Sequence, residues 1–294
     1  MSPPAPTGLR EVHALALRRH QQRVAALTHP HWLHEEVARR MAQRLPVIRH
    51  RPKRVLNWQA AISGSAKVLA RAYPKAQIVS QGVPQAPVPR AWWRLGLQAA
   101  SATAGRAGGA QAAADLVWAN MALHFDADPP SLMQAWKRAL APEGFLMFST
   151  LGPGSLREVQ KVFDSRGWGP AFAPFVDMHD LGDMLVNAGF ADPVMDQEIL
   201  SLHWADAQAM LNELRTWGGN AAVDRFAGLR ARGWKSRLEQ ALQTQLANLD
   251  GRPMLQLELV YGHAFQAAPR AAVAPQTTLP LDDMRQMLRN GRRP

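Results

Sequence analysis

Residues 114–156, ADLVWANMALHFDADPPSLMQAWKRALAPEGFLMFSTLGPGSL, restrict the fold more than any other part of the chain. Asp115 to Ala119 is an apolar run of strand length. Asn120 to Phe125 follows as a loop. Pro129 and Pro130 stiffen the entry to a helix, in which Leu132, Ala135, Trp136 and Leu140 recur at three- and four-residue spacing. Pro142-Glu143-Gly144 ends that helix, and Phe145 to Thr150 reads as a second buried strand. Strand, helix and strand within this length imply a right-handed crossover and a parallel sheet. Ligands of such sheets sit beyond the carboxyl ends of the strands, here Asn120–Phe125 and Thr150–Ser155.

The rest of the chain continues the alternation. Helices are expected over 11–28 and 32–45, a strand over 54–58, a helix over 65–73 and a strand over 77–80. A Pro-rich loop carries Trp92 and Trp93, which cover the sheet edge or leave one ring exposed for stacking. Residues 99–114 are a low-complexity Ala and Gly connection. Ser155 and Glu158 match a capping box opening a helix to about residue 164. Helices over 178–187 and 206–216, a strand over 190–202, a helix within 230–250 and a last strand over 255–265 follow. A short helix over 282–288 is expected in the tail. The division is a basic extension (1–30), one domain (31–266) and an Ala/Pro-rich tail (267–294).

Charge is uneven. Residues 1–54 hold eleven Lys or Arg against three Glu, most of the net +11. From Val37 to Ala114 there are thirteen Lys or Arg and no Asp or Glu. Such a basic face favours an acidic partner, or is simply a solvated surface. Beyond charge, no nucleic-acid recognition signature is present. No apolar run reaches the ~20 residues of a membrane helix, so a cytoplasmic protein without membrane contact is expected. Cysteine is absent. His29, His31 and His34 cluster without further ligands, so no metal site is expected. Leu151 to Ser155 is not a serine-nucleophile elbow.

DLVWANMALHF, LMQAWKRALAPEGFLMFSTLGPGSLREV and HDLGDMLVNAGFADPVMD resemble class I S-adenosylmethionine-dependent methyltransferases. More narrowly, they are similar to the malonyl-[acyl-carrier protein] O-methyltransferases of biotin synthesis. The resemblance spans roughly Trp32 to Phe265. It implies an α/β fold, doubly wound, with a mostly parallel seven-stranded sheet and an antiparallel final strand. It also implies S-adenosylmethionine as cofactor and an acidic acyl-carrier protein as partner.

Carried over residue by residue, the cofactor positions are Asn57, Gly64, Gly82, Asn120, Met121 and Ala122. Asn57 stands where the family has an acid, and Gln59, Ala61 and Ser63 replace loop glycines. At Ala61 and Ser63 a positive φ would strain the backbone. The end of the second strand holds Gln81 and Gly82 in place of a ribose-binding acid. The resemblance gives His124, Phe125, Gly152 and Gly154 to the substrate, the two glycines letting an acyl chain pass. Arg157 and Lys161, four apart on one helix face, would meet the carrier. His124 is otherwise an ordinary loop residue. Methylating a carboxylate needs little acid–base chemistry, so no catalytic residue is singled out. Two functions stay open: a carboxylate O-methyltransferase, and a binding or regulatory protein of the same fold that has lost the cofactor.

Overall fold

A computed structural model of the chain describes residues 11–25, 29–81 and 113–267. The expected Trp92/Trp93 loop, the site residue Gly82 and the tail helix over 282–288 lie outside these residues.

The strands are β1 (Arg54–Asn57), β2 (Gln77–Ser80), β3 (Ala114–Ala119), β4 (Leu140–Leu151), β5 (Phe190–His203) and β6 (Met254–Gln266). They form one sheet in the order β2-β1-β3-β4-β6-β5. β2, β1, β3 and β4 are parallel, and β6 runs antiparallel to both β4 and β5. The doubly wound α/β architecture with its antiparallel last strand is thus present. The sheet has six strands among the described residues, against the seven expected.

Alternation along the central strands sorts the core onto two faces. Leu116, Trp118, Phe145 and Met147 face α2 (Trp32–Ala42) and α4 (Ala66–Ala72), meeting Leu33, Val37, Met41 and Leu69. Val117, Leu146 and Phe148 face α5 (Pro129–Ala139) and α7 (Met178–Asn187), through Met133, Trp136, Leu181 and Leu185. Each such fully buried side chain contributes about 2 kcal/mol of hydrophobic stabilisation. α5 starts where the Asp128 carboxylate accepts the Ser131 N–H at 3.0 Å, with Pro129 at its first position.

A third cluster joins α6 (Arg157–Ser165), α8 (Ala207–Trp217) and α9 (Trp234–Gln245) through Val162, Met210 and Leu242. The expected capping box does not form. Leu156, with φ 59°, precedes α6, and no side chain caps it. Ser155 is instead pinned to β6: its hydroxyl accepts the Glu258 N–H at 3.0 Å and donates to the Glu258 carbonyl at 3.1 Å. Two bonds to a strand outcompete one to a helix end.

α1 (Ala14–Ala25) lies within the expected extension yet packs on the domain. Its leading residue His13 donates its backbone N–H to the Ala221 carbonyl at 2.7 Å, and Val12 pairs with Ala222 in an antiparallel bridge. This tie positions α1 over the carboxyl end of the sheet.

Candidate functional site

The loop after β1 forms the first part of the site. Asn57 ends the strand, Gln59 turns in the left-handed region at φ 51°, and α3 (Ala60–Ser63) follows, closed by Gly64 at φ 65°. Positive φ therefore falls on Gln59 and Gly64; Ala61 and Ser63 are helical, so the strain expected there does not arise. Trp58 turns to the opposite face of the sheet and packs edge-on against Trp136, with centroids 6.2 Å apart.

The space above the loop holds a buried polar network. Ser63 Oγ donates to Asn57 Oδ1 at 3.0 Å, and Trp118 Nε1 donates to Ser65 Oγ at 2.8 Å. Asn120 Nδ2 donates to the carbonyls of His34 (2.8 Å) and Ser63 (2.5 Å), and Asn120 Oδ1 accepts from Ser149 Oγ at 2.7 Å. His34 Nδ1 lies 2.6 Å from the Ile62 carbonyl. Burial lowers the His34 pKa to about 4, against the raising effect of that bond, so His34 is neutral at pH 7 and donates through Nδ1. The network joins α2, α3 and the ends of β1, β3 and β4 at once.

The second part is an apolar cavity of about 360 Å³ beyond β3 and β4, roofed by α1 and α8. Met121, His124 and Phe125 line it from the β3 loop, as do Leu151 and Leu156 from the end of β4. Met121 adopts φ 54° and donates its N–H to Ser149. A buried non-glycine residue in this region costs about 1 kcal/mol and marks a backbone held for position. His20 enters from α1, its ring stacked 3.9 Å from that of Phe125. Burial, then Arg23 and His34, lower its pKa to about 4.

Outside the cavity lies an open depression edged by Arg157, Lys161, Pro153 and Pro170. Phe172 and Phe175 line both spaces, with ring centroids 5.5 Å apart. They form the wall between a basic outer surface and an apolar interior.

A methyltransferase-domain family model matches residues 62–148. A malonyl-[acyl-carrier protein] O-methyltransferase of Gallionella capsiferriformans is 36% identical over 249 residues, covering 81% of this chain and 85% of that protein. Its counterparts from Laribacter hongkongensis and Methylovorus are 35% and 32% identical, covering 81% and 82% of this chain and 84% of each relative. The chain belongs to this family of methyltransferases.

Membership raises the question of S-adenosylmethionine, the cofactor the fold family implies. The loop after β1 and the end of β2, where the family holds it, depart from the expected pattern among the described residues. Gly64 packs closely on α2: a Cβ there would lie 2.8 Å from the backbone nitrogen of Glu35. Asn57 Oδ1 accepts from Ser63 Oγ. Gln81 clips the loop, donating its N–H to the Asn57 carbonyl and accepting that of Ala60. No carboxylate occurs between Val37 and Ala114 to hold ribose hydroxyls. Neither cavity described above reaches Asn57, Ser63, Gly64 or Gln81.

Of the residues carried over to the cofactor, Asn57, Gly64 and Asn120 lie in or against the polar network, Met121 borders the cavity, and Ala122 is buried beside it. His124 and Phe125 line the cavity, His124 buried and not on the surface. Gly152 and Gly154 face β6 instead: their missing side chains make room for Glu258, whose Oε2 accepts the Gly154 N–H at 2.7 Å. They pass a carboxylate side chain and do not border the acyl-sized space.

Sequence reasoning missed His20, His34, Phe172 and Phe175. The signal for His20 was its three-residue spacing from Leu17 on α1, which brings both to the cavity. For the two phenylalanines there was no periodic signal, because they sit in an irregular connection. Among the described residues no cluster of metal-ligating side chains occurs, and no helix is long and apolar enough to cross a membrane.

Proposed function

We propose that this chain takes the malonyl group of an acyl-carrier protein into the apolar cavity and methylates its free carboxylate, with S-adenosylmethionine as donor. The observation that carries the reading is the cavity at the ends of β3 and β4 in a chain of this family. The relatives' name supplies the substrate. Arg157 and Lys161 would meet the acidic carrier outside the Phe172/Phe175 wall, and the acyl arm would enter past that wall. The chain's own residues bind, orient and exclude water: an apolar pocket strips the carboxylate of solvent, which makes it a better nucleophile. Domain limits of 31–266, with α1 of the preceding extension packed on them, and a cytoplasmic location belong to the same proposal.

The alternative is a binding protein of the same fold. In it the chain keeps the acyl and carrier sites and no longer takes the donor. Calorimetry with S-adenosylhomocysteine, and mass spectrometry of malonyl-loaded carrier incubated with S-adenosylmethionine, separate the two. Micromolar binding and a 14-Da gain support the first; carrier binding with neither supports the second. Capture that is unchanged at low salt in an Arg157→Glu, Lys161→Glu double variant would remove the docking surface.

A further inference from the structure

His20 is 3% exposed, and neither of its ring nitrogens has a hydrogen-bond partner. A buried imidazole without partners costs stability, typically 1–3 kcal/mol for each stranded group. Natural cores remove such groups unless something uses them. His20 is also held firmly. Phe125 stacks on its ring at 3.9 Å. Gly218, at φ 149°, brings bare backbone against it: a Cβ there would lie 3.0 Å from the His20 ring and 3.2 Å from Phe125. The ring therefore has a fixed place in the wall of the cavity, whose surroundings are mostly Leu, Phe, Met and Val side chains.

The charges nearby are cationic. Arg23 lies next to the ring on α1, and its guanidinium would be 2.7 Å from a Cβ on Gly219. Arg215 of α8 borders the same cavity. A neutral imidazole in an apolar pocket with arginines at its margin offers one N–H to an oxygen and a positive potential to an anion.

We propose that His20 donates its ring N–H to a carboxyl oxygen of the acyl group held in this cavity, so that the cavity selects a carboxyl-terminated acyl group over a plain one. This rests on the reading that the cavity takes a carrier-borne acyl group, and it adds the residue that recognises the group's end. Its lowered pKa keeps the imidazole neutral at pH 7. Discrimination comes mainly from the stranded N–H: a methyl-ended group leaves the imidazole unpaired, whereas a carboxyl oxygen satisfies it.

The test uses the full chain and carrier protein loaded through a stable amide with either a malonyl or an acetyl group. Wild type binds the malonyl form at least tenfold more tightly. His20→Phe keeps the stacking volume and binds both forms like acetyl; His20→Gln keeps an N–H donor and restores part of the preference. Melting curves check that the variants are folded. A full malonyl preference in His20→Phe, or none in wild type, overturns the inference and leaves the acyl-site reading standing. Failure of wild type to bind either form overturns that reading and the inference with it. Should both variants unfold, the ring nitrogen resonances of His20 in labelled wild type decide: they shift on adding malonyl carrier, and unmoved resonances overturn the proposal.

Discussion

Replacing Asn120 with Ala tests the polar network most directly. The amide makes three hydrogen bonds: two donated to the His34 and Ser63 carbonyls and one accepted from Ser149. All three are buried. Two partners keep other bonds, since the Ser63 carbonyl still accepts from Ser65 Oγ and Ser149 Oγ still accepts the Met121 N–H. The loss is therefore nearer the net value of about 1 kcal/mol per bond than the full desolvation cost, giving about 3 kcal/mol in all. Asn120→Asp has the same shape but places a carboxylate oxygen against two carbonyl oxygens. At pH 8 it should cost more than Ala. Urea titration reads both as a lower midpoint at unchanged slope. A loss under about 1 kcal/mol for Ala, or a smaller loss for Asp than for Ala, refutes the reasoning that this network locks α2 onto the loop.

Three further outcomes follow from the same geometry. His20 and His34 have pKa values of about 4 in the fold against 6.5 unfolded. Their stabilisation is complete above pH 6.5 and is lost as pH falls toward 4, by roughly 1 kcal/mol per pH unit for each histidine, and this slope should fall by about half in His34→Gln melts followed from pH 7 to 4. Gly64→Ala should cost about 2 kcal/mol or more by denaturation, because its Cβ would meet α2 backbone that cannot swing away. Arg44 covers the Tyr261 ring at 3.7 Å and pairs with Asp196 at 2.7 Å; Arg44→Ala should cost about 1–2 kcal/mol, with a smaller loss in 1 M salt.

What could be read from the sequence is what depends on neighbours along the chain. The strands of residues 114–151 announce themselves because Val117/Leu146 and Trp118/Met147 alternate in step with the pleat. Helix α7 spans the residues 178–187 expected for it. Contacts between distant residues were not legible. That α2 packs on Gly64 depends on Glu35 meeting a residue 29 positions away. Gly152 and Gly154 look like a passage for ligand until Glu258, from the last strand, occupies it. Ser155 looks like a helix cap until the same strand takes both its bonds. In each case a local pattern was right about flexibility or hydrogen bonding and silent about the partner.

The loop network and the acyl cavity share walls, and this bears on both readings of function. The backbone carbonyl of His34 holds Asn120, while its side chain borders the cavity. Met121 donates into the network through Ser149 and presents its side chain to the same cavity. A donor held by the loop after β1 would bear on α2, which packs on Gly64 and carries His34. Donor binding and acyl binding are then linked, and linkage is reciprocal: whatever factor one changes in the affinity of the other is returned. Under the methyltransferase reading, saturating S-adenosylhomocysteine should change the affinity for malonyl carrier severalfold, and calorimetry in both orders should give the same factor. An affinity unchanged by a donor that demonstrably binds would mean that α2 does not stand between the two sites. The shared wall would then be packing alone.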